Sequence, residues 1–239
     1  MNISPEELIE GRAERPVLDV RSPGEYNKGH IPGAVSFPLF DDLERAEIGT
    51  LYKQVGQQAA FDRGMELVGP RIRGMVQRAR SLAQDGKLTV HCWRGGMRSQ
   101  SVGLLLRMSG LDVQVLQGGY KRFRSWVLQK LDGNYRLLVL GGMTGSGKTA
   151  ILEALYNQGA AVVQLEELAH HRGSSFGRIG KDTAGSQQQF ENGLAVELHL
   201  GRDQKIWIED ESRGLGKLVL PGRLFGQMQS APFVYLKVS

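Results

Sequence analysis

The run from Leu137 to Thr149, LLVLGGMTGSGKT, constrains the chain more than any other stretch. Arg136 to Gly141, apolar from Leu137 to Leu140, reads as a buried strand, Gly142 to Thr149 spells G-x-x-x-x-G-K-T, and Lys148 to Asn157 reads as a helix. A glycine turn between strand and helix offers backbone N–H groups and a helix N-terminus to a polyphosphate. Lys148 would neutralise that anion, and the Thr149 hydroxyl would ligate Mg2+. Gly142, Gly145, Ser146, Gly147, Lys148 and Thr149 are therefore the expected phosphate-binding residues. A second apolar segment, Lys205 to Asp210, ends in two carboxylates, so Glu209 or Asp210 is expected to hold the metal through water.

The stretch His91 to Ser99, HCWRGGMRS, carries a different chemistry. It follows the apolar run Lys87 to Val90 and contains the single cysteine of the chain. Gly95 and Gly96 let backbone N–H groups turn inward as an anion nest, and Arg94 and Arg98 bracket it. That field is expected to favour thiolate, the nucleophilic form. The helix read from Ser99 to Arg107 adds the positive end of its dipole. Cys92 is thus the expected nucleophile, with Arg94, Gly95, Gly96 and Arg98 as the anion-binding loop.

A chain of 239 residues with 41% hydrophobic content can form two modest folded domains. One cysteine excludes an internal disulfide and a cysteine-based zinc site, and agrees with a reducing compartment. No apolar run reaches the length of a membrane span and no secretory leader is apparent, so no membrane partner is expected and the cytoplasm is the expected location. The net charge of +5 suits a polyanionic partner.

Taken in order, Val17 to Val20 reads as a buried strand, followed by a Gly- and Pro-punctuated loop and a second strand at Val35 to Phe37. Asp19, Arg21, Glu25 and His30 read as a hydrogen-bonded brace beneath the cysteine loop, and His30 as structural. Residues 61–85 show the spacing of a helix or helix pair with one buried face and a basic outer face whose arginines read first as solvated. Val113 to Leu116 reads as another strand, and Gly118-Gly119 brings the chain back past the cysteine. Tyr120, Phe123, Trp126 and Val127 recur at helical spacing, as an amphipathic helix sealing the domain rather than a base-stacking surface. Leu131 to Asn134 reads as a linker, giving domains 1–131 and 132–239. The His170-His171 pair has no carboxylate or cysteine at ligand spacing and does not read as a metal site.

DVRSPGEYNKGHIPGAV (residues 19–35), the cysteine loop and Gly118-Gly119-Tyr120 together resemble the rhodanese family. CWRGGMRS, the segment Asp41 to Arg45 with Gly49 to Gln54, HRGSSFG (171–177), the helix start at Ser186 to Asn192, and Glu211-Ser212-Arg213 narrow the resemblance to the tRNA 2-selenouridine synthase family. The expected architecture is then α/β: an N-terminal rhodanese-like domain followed by a P-loop NTPase-like parallel-sheet domain. Relative to the family pattern the chain departs at Ala184-Gly185 and stops at a strand-like segment, Pro232 to Ser239, so the second domain is expected to be incomplete and its last strand partly uncovered.

The resemblance implies a transferase that replaces sulfur by selenium in the wobble 2-thiouridine of tRNA. Selenophosphate would be the donor, Cys92 would bear the chalcogen, and an S-geranylated tRNA would be an intermediate. Geranyl diphosphate would occupy the P-loop on this view, although the residues themselves equally allow ATP or GTP, with Mg2+. tRNA and an enzyme supplying selenophosphate are the implied partners. The alternative is a rhodanese-type sulfurtransferase fused to a P-loop small-molecule kinase.

Overall fold

The structure is a computed structural model that describes residues 2–143, 145–170 and 186–237. It divides into two compact units, Met1–Phe123 and Arg124–Ser239.

The first unit runs β1 (Asn2–Ile3), α1 (Pro5–Glu10), β2 (Val17–Asp19), α2 (Pro23–Lys28), β3 (Val35–Ser36), α3 (Asp42–Gln54), α4 (Gln57–Val68), α5 (Ile72–Leu82), β4 (Lys87–His91), α6 (Met97–Met108), β5 (Asp112–Leu116) and α7 (Gly119–Leu131), the last continuing into the second unit. The five strands form one parallel sheet in the order β1-β5-β4-β2-β3. Leu18, Leu88, Val90, Val113 and Val115 are buried. Near-continuous apolar strands of this kind are what a parallel sheet covered on both faces requires. The central strand β4 ends at His91, so the next residue, Cys92, emerges at the C-terminal edge of the sheet.

The helical reading of 61–85 resolves into α4 and α5, which starts at Gln57 and is broken by a single 3-10 turn at Gly69–Arg71. Pro70 lies in that turn, where its missing N–H and ring disfavour continuation of α4. Helix α3, entered through a capping box between Asp41 and Glu44, packs against α4. Gly64 of α4 leaves room for Phe40, just ahead of α3, since a Cβ there would lie 3.3 Å from Phe40 Cζ. On α7, Tyr120, Phe123, Trp126, Val127 and Leu131 are all buried, so these aromatics are core and not an exposed stacking face.

The second unit continues with β6 (Leu137–Gly142), α8 (Lys148–Asn157), β7 (Ala161–Val163), α9 (Leu165–His170), α10 (Gln187–Leu200), β8 (Ile206–Glu209), β9 (Gly214–Leu215), β10 (Leu218–Val219), α11 (Gly222–Ser230) and β11 (Phe233–Leu236). Among the described residues, four strands form a parallel sheet in the order β11-β6-β8-β7, and β9 and β10 form a small antiparallel pair. Ser186 caps α10 by accepting the Gln189 N–H at 3.1 Å, and Arg124 is fixed to that helix through Glu191 (2.7 Å) and Asn192 (2.6 Å). Among the described residues the terminal strand pairs with β6 alone and leaves Phe233, Val234 and Tyr235 exposed by 53%, 42% and 57%. His171 to Gly177 and Ala184-Gly185 lie outside the described residues, as does Thr144. Among the described residues, no helix is long and apolar enough to cross a membrane.

Candidate functional site

Cys92 sits in a cradle built largely from backbone. Gly95 has φ +67°, and a Cβ on it would lie 2.8 Å from the Leu116 carbonyl oxygen and 2.9 Å from Gly118 N. Gly119, at φ +60°, is tighter still: its Cβ would lie 2.3 Å from the Cys92 oxygen and 2.5 Å from Gly95 N. Glycine is thus required on both sides of a backbone-on-backbone contact. The Tyr120 and Lys121 N–H groups donate to the Cys92 and Trp93 carbonyls, each at 2.9 Å, which closes the loop onto the start of α7. Inside it, Cys92 is 3% exposed, its Sγ 3.2 Å from Ser99 Oγ and 4.0 Å from the Gly96 carbonyl oxygen.

The two arginines of the loop differ. Arg94 is exposed, whereas Arg98 is half-buried and donates to Glu25 at 2.7 Å, with Arg45 3.7 Å from the same carboxylate. Burial opposes the Arg98 charge, but Glu25 and the charge of a Cys92 thiolate outweigh it and hold the guanidinium protonated.

Beneath the loop lies a buried polar layer. The Arg21 Nε donates to Asp19 at 2.9 Å and its Nη2 to the Gly29 carbonyl at 2.8 Å, while the guanidinium carbon rests 3.9 Å from the Tyr120 ring centroid. His91 Nε2 is 3.6 Å from Asp19 Oδ2. Burial chiefly holds both His91 and His30 below the ordinary imidazole value, so the layer carries neutral histidines at pH 7. His30 stacks on Tyr26 at 3.9 Å, and the Tyr26 hydroxyl donates to the Ala34 carbonyl at 2.7 Å. That hydroxyl is pushed up to about 12, by burial first and then by the Asp19 charge. Asp19, Arg21, Glu25 and His30 therefore tie the loop's support together, and His30 faces its own brace rather than the thiol.

In the second unit, β6 feeds the loop Gly142 to Lys148 and α8 begins at Lys148, with Gly147 as a left-handed N-cap at φ +87°. Lys148 Nζ donates to the carbonyls of Gly142 (3.0 Å) and Met143 (3.4 Å), and Thr149 is exposed on the first turn. Ser146 Oγ is buried with no hydrogen-bond partner among the described residues. An orphaned hydroxyl inside a lysine-topped loop fits a phosphate oxygen.

The adjacent strand β8 separates the two candidate carboxylates. Glu209 is buried and accepts the Glu166 N–H at 2.9 Å, capping the start of α9. Asp210 is exposed, and its N–H donates to Leu140 O at 3.0 Å, which places it beside the end of β6. Burial raises Glu209; burial, then Glu166 and Glu209, raise Glu211. Among the described residues no three His, Cys, Asp or Glu side chains converge as a metal-binding set.

Comparison with known proteins bears on both units. The rhodanese-like domain model matches residues 4–125. The chain belongs to the rhodanese-like family. The rhodanese-like unit is followed, over residues 135–239, by a match to the tRNA 2-selenouridine synthase AAA domain, in the order the sequence resemblance implied. Relatives named tRNA 2-selenouridine synthase include those of Pseudomonas syringae pv. syringae, 40% identical over 94% of this chain and 62% of that protein, and of Pseudomonas fluorescens Pf-5, 42% identical over 95% and 63%. The chain thus spans somewhat under two thirds of the length of these curated relatives. Among solved structures, the N-terminal domain of a Clostridium difficile 630 protein is 36% identical, covers 54% of this chain and 99% of its own, and has a TM-score of 0.49.

The rhodanese-like unit brings Cys92, Gly95 and Gly96 together as expected of one loop, with Arg98 turned to Glu25. Ser99 was read only as the helix start; its position seven residues after Cys92, at the first turn of α6, is the signal that it would face the sulfur. Glu211 is read in the sequence only as part of a family motif, and Glu166 is not singled out, because α9 meets β8 only in three dimensions.

Proposed function

We propose that this chain is a tRNA-modifying transferase that exchanges sulfur for selenium in wobble 2-thiouridine, with selenophosphate as donor. Support comes from the observation that the chain's single thiol lies in a glycine-built cradle ahead of a P-loop unit, and from relatives that bear the name tRNA 2-selenouridine synthase over nearly the whole chain. In this reading the domains are 1–131 and 132–239, and tRNA and a selenophosphate-forming enzyme are the partners.

Two steps follow. At the P-loop, the thiocarbonyl sulfur of the base attacks C1 of geranyl diphosphate, the C–O bond breaks, and diphosphate leaves with the bonding pair. Gly142, Gly145, Ser146, Gly147 and Lys148 hold that diphosphate, and the charge of Lys148 stabilises it as it departs. Mg2+ would add charge neutralisation, held by Thr149 and, through water, by Asp210, because Glu209 is already committed to the α9 backbone. At the rhodanese-like loop, the Cys92 thiolate attacks selenium of the donor, with Arg94 and the loop N–H groups of Gly95 and Gly96 receiving the anion. An S–Se bond forms and the donor's remaining fragment leaves with the electron pair. The Cys92-bound selenium then displaces geranylthiolate from C2 of the base; one low-molecular-weight thiol attacks the Cys92 sulfur, releasing the selenated base and leaving a mixed disulfide, and a second thiol displaces the Cys92 thiolate as the small disulfide leaves.

Mass spectrometry of tRNA nucleosides after incubation with selenophosphate tests the reading. Formation of 2-selenouridine that is lost in Cys92→Ser is the expected result; selenation retained in the variant overturns the nucleophile. Electron accounting gives a second readout, since a selenium atom taken by a thiolate leaves phosphorus as phosphite. Phosphorus NMR showing phosphate instead would mean that selenophosphate attacks the base directly and would overturn the Cys92-bound carrier.

A further inference from the structure

Helices α3 and α4 lie outside the loop machinery, yet α4 borders it. A cavity of about 500 Å3 is lined by Gln57, Gln58 and Phe61 of α4 and by Met97, the first residue of α6. Its size falls within the range of small-molecule sites. Met97 directly follows Gly96, whose carbonyl lies 4.0 Å from Cys92 Sγ, so this wall is continuous with the cysteine loop. Phe61 is 44% exposed and Met97 43%, which leaves an aromatic face and a polarizable side chain open to a ligand.

We propose that this cavity binds the pyrimidine ring of the substrate nucleoside, stacked on Phe61; the assignment rests on the reading of the chain as a tRNA-modifying transferase. The polar groups choose between an aromatic ring and an alkyl chain. A prenyl group here would desolvate two amides and give them nothing in return. A uracil ring offers N3–H and O4, one donor and one acceptor. Gln58 Nε2 is held by Asp62 at 2.9 Å, which leaves its carbonyl to accept N3–H. The Gln57 amide makes no hydrogen bond among the described residues and is available to donate to O4. Because Asp62 fixes the Gln58 amide, the pair discriminates against cytosine, whose N3 carries no hydrogen.

Affinities of the 239-residue chain for anticodon stem-loop RNAs test this, with 2-thiouridine, S-geranyl-2-thiouridine, cytidine or an abasic residue at the wobble position. The chain should bind the 2-thiouridine RNA about tenfold more tightly than the abasic one, a ratio typical of one stacked base. Phe61→Ala and Phe61→Leu should both abolish that ratio while leaving the abasic affinity unchanged; Leu keeps the apolar bulk and removes only the π face. Gln58→Ala should equalise 2-thiouridine and cytidine. A ratio that persists in both Phe61 variants overturns the cavity assignment. So does a loss confined to S-geranylated RNA, which would make the cavity a prenyl site. If these variants leave the ratio intact while Cys92-dependent selenation proceeds, only the cavity assignment fails; if the chain binds none of the RNAs, the transferase reading fails with it.

Discussion

Gly119→Ala isolates the contact that shapes the cysteine cradle. The new Cβ would lie 2.3 Å from the Cys92 oxygen, 2.5 Å from Gly95 N and 2.9 Å from Arg94 N, all backbone atoms that cannot swing aside. An ordinary carbon–oxygen contact is about 3.4 Å, so the loop must retreat by roughly 1 Å and stretch the 2.9 Å bond from Tyr120 N to the Cys92 oxygen. Overpacking of this kind costs about 1–3 kcal/mol, and a non-glycine residue at φ +60° adds about 1 kcal/mol or more, giving about 3 kcal/mol in all. Gly33→Ala is the control: φ is +80°, but nothing lies within 4 Å of its Cβ, so only the backbone term of about 1 kcal/mol remains. Cys92 is the only cysteine and is 3% exposed, so pulse alkylation against urea reports opening of this unit alone. With a urea slope of about 1–3 kcal/mol per M, Gly119→Ala should move the midpoint down by about 1–3 M and Gly33→Ala by about a third of that. Equal shifts for the two variants would refute the close-contact argument.

Lys148→Ala should weaken diphosphate binding by on the order of tenfold to a hundredfold, the worth of one charge-assisted contact; titration calorimetry with inorganic diphosphate reads it, and unchanged affinity would remove the loop from phosphate binding. His91 and His30 are held below their ordinary value, so the unfolded chain takes up more protons as pH falls, and stability should be full above about pH 6.5 and decline below it. Thermal melts from pH 7.5 to 5 followed by circular dichroism check this, with a shallower slope expected for His30→Gln. Among the described residues β11 is an edge strand whose outer backbone edge has no partner strand and whose apolar side chains are exposed. Concentration-dependent self-association should therefore be seen by sedimentation and be reduced in Tyr235→Lys; a monomer at every concentration would contradict it.

Much of the scaffold was legible because it depends on local pattern. Leu137 to Leu140 and Ile206 to Glu209 are apolar runs of strand length bounded by glycine or charge, and both appear as parallel strands of one sheet. Helix α8 occupies Lys148–Asn157, the range read from its start signal and spacing. Proline and glycine punctuation marked the loops of the first unit. The spacing of 61–85 allows a helix pair, but the place of the split at Gly69–Arg71 was less visible, because the apolar spacing continues through Pro70 while the backbone cannot. Helix α3 carries no buried residue, so no apolar stripe announced it, although its capping box at Asp41 and Glu44 did stand in the sequence.

The site was legible only where a residue acts through its own backbone neighbours. Cys92, Gly95 and Gly96 are one loop, and the glycine-rich run from Gly142 to Lys148, the candidate phosphate site, is another, so motif spacing is enough to single out both. Partners brought in from distant elements leave no such trace. Arg98 looks in the sequence like a free cation beside the nucleophile, but Glu25, 73 residues earlier, takes its guanidinium at 2.7 Å. The same logic separates Glu209 from Asp210: adjacent and chemically alike on the page, they diverge because successive residues of a strand face opposite ways. One is drawn into the Glu166 backbone and the other is left at the sheet edge beside β6. What separates the candidates in both cases is which charge already has a partner, and that is a property of the packing rather than of the motif.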